Sequence, residues 1–202
     1  MPAIRMSRRT VMLGLLASPA LFSRGMPAFA QDATPATGSN RIVGELFGYV
    51  ITWPDSWTFV ASGSEGNGED GYDMVQLAKD DATAYIVVSR PGDTPLSEIV
   101  ELLADGPERE TFVPGMIATD TEGKEIIGET PDRAWAAWNG NLAGEIVDGF
   151  TQFRYGEIRL LEQNLGVGLS VAMPATSFDK DIAPYSALLD GVTKGEGTPT
   201  AD

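Results

Sequence analysis

The densest set of potential metal ligands lies in "SEGNGEDGYD", where Glu65, Asn67, Glu69, Asp70 and Asp73 place carboxylate and amide oxygens within nine residues. Hard oxygen donors gathered this closely suit calcium. The spacing departs from an EF-hand loop, because Asp70 stands where that loop needs glycine and Gln76 where it needs a bidentate Glu. The same run also has the make-up of a solvated loop between strands, and the two readings stay open. A second chemistry is available to Trp53, Trp57, Trp135 and Trp138, whose rings can line an apolar or sugar-binding cleft. Trp135 and Trp138 are three apart and leave a regular strand on opposite faces, which commits at least one of them to the core. Trp57 and Trp135 are expected inside; Trp53 and Trp138 are the candidate ligand-binding residues.

Other chemistries are removed by what the chain lacks. It contains no cysteine and no histidine. Thiolate zinc sites, iron–sulfur clusters, cysteine nucleophiles, Ser-His-Asp catalysis, histidine metal centres and the usual haem ligation are therefore excluded. Two facing carboxylates can hydrolyse a glycoside, but 29 acidic residues make a pair in sequence uninformative. A Ser-Lys nucleophile finds no motif joining a serine to Lys79, Lys124, Lys180 or Lys194. No catalytic residue is assigned, no resident cofactor is expected, and an enzyme is the weaker expectation. A carboxylate hydrolase and a calcium-dependent acidic module are kept as alternatives.

The elements that would position such groups begin after a leader. Residues 1–30 carry Arg5, Arg8 and Arg9, an apolar run from Val11 to Phe22, and the small-residue end Ala28-Phe29-Ala30. This is the pattern of an export signal cleaved after Ala30. The run is too short and too diluted by Gly14, Ser18 and Pro19 to span a bilayer, which takes about 20 apolar residues. Ser7-Arg8-Arg9-Thr10-Val11-Met12 resembles a twin-arginine signal, with Val11 in place of the usual Phe and Leu13 in place of the frequent Lys; a Sec signal is the alternative. Either route predicts an extracytoplasmic protein without a membrane anchor after cleavage.

Cleavage removes four of the 14 basic residues and none of the 29 acidic ones, so 172 residues remain with ten bases and a net charge of −19. That length fits one domain with a core of its own. The charge repels nucleic acid and anionic lipid head groups and favours a basic partner or plain solubility. Stability must come from packing, since disulfides are absent.

Residues 31–41, "QDATPATGSNR", read as a flexible spacer, and 194–202, "KGEGTPTAD", as a disordered tail. Between them "GYVITWPDSWTFVA" predicts two strands around a turn at Pro54-Asp55-Ser56, followed by an exposed loop over 62–71. "YDMVQLAK" and "AYIVVSR" predict a hairpin across Asp80–Thr83, with Tyr85, Val87 and Ser89 on one face and Ile86 and Val88 on the other. Thr94 to Ala104 predicts a helix capped by Thr94, started by Pro95 and ended by Gly106-Pro107. "GMIATDTEG" and "KEIIGE" are weaker strands; "RAWAAWN", "FTQFRYGEIRLLEQN" and "VGLSVAMPA" are stronger. A last amphipathic helix would dock Ile182, Tyr185, Leu188 and Leu189 and stop at Gly191.

This order of elements, with "GYVITWPDSW" early, "TPLSEIVELL" as a helix, "RAWAAW" and two long strands, then "FDKDIAPYSALLDGV", resembles the PsbP-like family over residues 42–193. Pro54 and Trp57 match that family's Pro-x-x-Trp turn. The resemblance implies an α+β fold, an antiparallel β-sheet flanked by helices in an α/β/α sandwich. For exported bacterial members it implies a binding or accessory role in the cell envelope rather than catalysis, with another envelope protein or a small apolar ligand as partner. Histidine-dependent properties do not carry over to a chain without histidine, and the missing cysteine separates it from lipid-anchored members.

Overall fold

The apolar alternation of residues 72–89 builds the middle of a large sheet. The computed structural model describes residues 40–67, 71–90, 112–161 and 165–195. The leader with Arg8, Arg9, Ala28 and Ala30, the helix expected over 94–104, and Glu69 and Asp70 lie outside these residues.

In chain order the strands are β1 (Arg41–Val43), β2 (Tyr49–Thr52), β3 (Thr58–Glu65), β4 (Tyr72–Lys79), β5 (Ala82–Ser89), β6 (Phe112–Ile117), β7 (Ile127–Thr130), β8 (Arg133–Leu142), β9 (Gln152–Leu160), β10 (Gly166–Pro174) and β11 (Val192–Lys194). Helix α1 (Ala183–Ser186) runs into a 3-10 turn, Ala187–Gly191. Eight strands form one antiparallel sheet in the order β3-β4-β5-β10-β9-β8-β6, with β7 also paired to β8. The other three form a small sheet, β1-β2-β11. Among the described residues the fold is thus mostly antiparallel β with a single short helix, of the α+β class.

Period-two alternation gives the large sheet two distinct faces. Val75, Leu77, Ala84, Ile86, Val88, Leu169, Val171, Phe153 and Tyr155 point inward and pack with Ile42, Ile51 and Val192 of the small sheet and with Leu188 and Leu189 of the final turn. The expected docking of Ile182, Tyr185, Leu188 and Leu189 is observed, but the helix expected to carry it is a single turn, Ala183–Ser186, and Leu188 and Leu189 sit in the 3-10 turn that follows. On the outer face, Phe112, Ala134, Ala136, Trp138 and Ile158 form a second buried cluster, and Met74, Tyr85 and Val87 a third. The face assignment of Tyr85, Val87 and Ser89 against Ile86 and Val88 holds.

Three sequence readings change. The hairpin turn is only Asp80-Asp81, since Lys79 already pairs with Ala82, and Asp80 takes the left-handed φ of +50° that such a short turn demands. The loop expected over 62–71 is shorter, because Ser62, Gly63, Ser64 and Glu65 pair with Val75, Met74, Asp73 and Tyr72. Arg41 and Lys194, placed in the spacer and the tail, belong to β1 and β11, where they pair with Thr52 and Tyr49.

Strands β6 and β7 share one edge of β8 end to end. Between them residues 118–126 leave the edge as a hairpin-like excursion, tied at its base by Ala118 N–H to Ala137 O and Ala137 N–H to Ile126 O. Asp120 Oδ1 holds its tip by accepting from Glu122 and Lys124 N–H.

Candidate functional site

The calcium candidates do not converge. Alternation sends Glu65 and Asp73 to opposite faces, since Asp73 is opposite Ser64 and Glu65 is opposite Tyr72. Asp73 faces inward and is buried; its carboxylate accepts the N–H groups of Leu46 and Phe47, both at 3.0 Å, and the Ser64 hydroxyl at 2.5 Å. It therefore anchors the turn between β1 and β2. Gly44 is required there, because a Cβ at that position would fall 2.3 Å from Asp73 Oδ2. Glu65 accepts instead from the Tyr72 hydroxyl at 2.6 Å, and the Asn67 carbonyl from Gly71 N–H. Among the described residues no three Asp, Glu, His or Cys side chains come together as a metal site. The cleft beside Asp73, between β1 and strands β3 and β4, measures about 20 Å³, room for one water.

The tryptophans are also redistributed. Trp53 and Trp138, the ligand candidates, are buried at 6% and 3% exposure. Trp53 stacks on Phe59 with centroids 5.9 Å apart. Trp138 belongs to the outer-face cluster, while Trp135 lies on the inner face, so the opposite-face expectation is met. Trp57 is buried edge-on to Tyr185. Trp135, expected in the core, is the half-buried one, with its ring over Gly128 and the Arg133 guanidinium 4.3 Å above it. The physical reason is that buried residues line both faces of the large sheet, so facing one side or the other does not separate core from surface.

A polar cluster that the sequence reading missed sits on the inner face of β9. Glu157 is fully buried and its carboxylate is held by three side chains. Oε1 lies 2.7 Å from both Arg133 Nε and Arg159 Nε; Oε2 accepts the Tyr155 hydroxyl and, at 3.2 Å, Arg133 Nη2. Arg159 continues outward to Asp190 at 2.5 Å and to the Ser186 carbonyl at 2.8 Å, and both arginines donate to Ser186 Oγ. Two strands are thereby locked to α1 and its following turn. Burial, then the Glu157 charge and its hydrogen bond, hold the Tyr155 phenol well above its ordinary value. Burial works against the Arg159 guanidinium, but the bonds to Asp190 and Glu157 outweigh it and its pKa is raised. A carboxylate that is fully buried and held by two guanidiniums and a phenol has no path to a substrate proton, and the other acid here, Asp190, lies beyond Arg159. The available signal was the alternation in "FRYGEIR", which aligns Phe153, Tyr155, Glu157 and Arg159 on one face.

The surface offers a different feature. The β8–β9 loop and edge strand β6 expose Leu142, Ile146, Val147, Phe150, Val113 and Met116. The loop is held rather than loose. Asn141 donates to Gly149 O and accepts from Thr151 N–H at 2.8 Å, and Glu145 accepts from the Thr151 hydroxyl at 2.7 Å. The Phe150 ring lies against Gly115, where a Cβ would come within 1.9 Å of it. Leu142 stands opposite Phe112, next to Val113. Glu145 and Asp148 are exposed on the same loop. The β6 backbone is interrupted by Pro114 and a register shift between Pro114 and Met116, so the edge resists addition of another strand and offers side chains instead.

No protein-family model matches this chain, and no curated protein matches it. Among solved structures it is similar to the solution structure of cyanobacterial PsbP (CyanoP) from Synechocystis sp. PCC 6803, with a TM-score of 0.45 and 10% sequence identity over 76% of this chain and 91% of that one.

Proposed function

We propose that this chain is an exported, non-enzymatic binding or accessory domain of the cell envelope, which docks a partner protein through the β8–β9 loop and the edge of β6. The observation that carries this reading is the held apolar loop, with Ile146 99% exposed, Val147 and Phe150 exposed on the same loop, and Met116 exposed on the strand that Phe150 lies against. Contiguous apolar side chains on a surface mark interaction sites, and a preformed loop loses little entropy on binding. Glu145, Asp148 and the overall acidity select a partner whose contact surface is apolar with a basic rim. The twin-arginine-type leader delivers the folded domain to the extracytoplasmic compartment, and the PsbP-like resemblance belongs to the same reading. No helix among the described residues is long and apolar enough to cross a membrane.

The test is a native mass spectrum of the protein purified from its own envelope, beside that of an Ile146→Asp variant. A stoichiometric protein adduct on the first that is absent from the second is expected. Bare mass for both, or an adduct that survives the substitution, would overturn the assignment of this surface.

A further inference from the structure

On the outer face of the large sheet, Arg154 of β9 stands directly opposite Trp138 of β8. Arg154 is 7% exposed, and its guanidinium carbon lies 4.9 Å from the centroid of the Phe112 ring. Its Nε and Nη1 have no hydrogen-bond partner, and neither has Nε1 of Trp138. Arginine and the indole ring carry donors only, so these neighbours cannot satisfy each other. Buried donors left this way are the exception in folded proteins and call for an explanation.

The contrast with the inner face of the same strand sharpens the point. There, Arg133 and Arg159 share Glu157, Arg159 also pairs with Asp190, and Ser186 accepts from both arginines. Arg154 has no acid among the described residues within ion-pair distance. A guanidinium removed from water without a counter-charge is costly, and burial lowers its pKa to about 10 while the neighbouring Tyr85 works in the other direction. The residues beside it on that face, Ala172 opposite and Gly156 two positions along, carry little side-chain volume.

We infer that Arg154 and Trp138 form the recognition floor of a site for a small oxyanion, a carboxylate or phosphate group that supplies the acceptors both lack. The overall negative charge opposes long-range attraction of such a group, so affinity must come from local donors in a site shielded from water. The Phe112 ring lies against the guanidinium and shares a buried cluster with Trp138, apolar surroundings that suit an anion carried on an organic molecule better than a fully hydrated one. This site lies on the sheet face behind the docking surface and meets it at β6, through Phe112.

The inference is tested by thermal unfolding of the whole chain in rising sodium acetate and, separately, sodium phosphate, at constant ionic strength. The wild type, Arg154→Met and Trp138→Phe proteins are compared. For the wild type we expect a saturable rise in midpoint with at least one of the two anions, and which one identifies the group. Trp138→Phe should need about tenfold more anion for the same rise, and Arg154→Met should show none while being at least as stable as wild type without anion. No saturable response of the wild type up to about 10 mM, equal responses in all three proteins, or an Arg154→Met protein markedly less stable than wild type would each overturn the inference.

Discussion

Arg133 and Arg159 are register partners across β8 and β9, yet both place Nε 2.7 Å from the same oxygen of Glu157. Directly opposed like charges normally weaken a strand pair. The buried carboxylate reverses that sign, and the three side chains are interdependent. Glu157→Gln should cost about 3 kcal/mol, the low end for stranding buried charge because both arginines keep some contact with water. Urea unfolding should show a lower midpoint at an unchanged m-value.

The outer end of the same network should matter far less. Asp190 is 68% exposed, so its 2.5 Å contact with Arg159 is screened. Asp190→Asn should change stability by less than about 1 kcal/mol in the same assay. A loss equal to that of Glu157→Gln would show that the lock between β9 and α1 is anchored at the surface instead.

Asp73 offers a second buried test. Asp73→Ala would leave the Leu46 and Phe47 N–H groups and the Ser64 hydroxyl without their acceptor, which should cost about 1–3 kcal/mol in thermal unfolding. Gly44→Ala should also destabilise, through collision with that carboxylate. Calcium should rescue neither variant.

High pH should unfold the domain. Tyr72, Tyr85, Tyr155 and Tyr185, four of the five tyrosines, have phenols raised above the free value of 10, in each case chiefly by burial. The unfolded chain loses these protons from pH 10 upward while the folded one keeps them, so stability is intact below pH 10 and falls above it. Arg154 acts oppositely, because burial lowers its pKa to about 10 and the unfolded chain then holds the extra proton. The four phenols outweigh the one lowered guanidinium, and the raised Arg159 guanidinium works with them at still higher pH, which leaves a net loss. Absorbance at the phenolate band should rise in step with loss of structure; full ionisation with the fold intact would contradict these environments.

What could be read from the sequence depended on whether local pattern or distant pairing determined the outcome. "YDMVQLAK" matches β4 residue for residue because alternation and turn residues act locally. Ser62 to Glu65 look like loop, since Gly and Ser disfavour strands; pairing with Tyr72 to Val75 overrides that preference. The three-residue strands β1 and β11 are too short to carry a period and exist through β2. Of the candidate residues, Trp53 and Trp138 are both buried, Trp138 because the outer face of the large sheet is covered as well as the inner one, and Trp53 because it packs on Phe59 in the main core. The alternation in "FRYGEIR" puts Glu157 on the face of Phe153 and Tyr155 but does not say which face is buried, and the arginine that balances it, Arg133, lies 24 positions away.

Ile51 pairs with Ile42 on one side and with Val192 on the other. The first and last strands among the described residues therefore bracket a single residue, and the small sheet that closes the core has no complete version until β11 has been synthesised. Contacts of such long sequence separation make closure late and slow. Folding is in this sense a post-translational event: while the chain is still growing, the inner face of the large sheet lies open, and a ribosome stall or truncation before Val192 would release a half-covered sheet rather than a smaller stable domain.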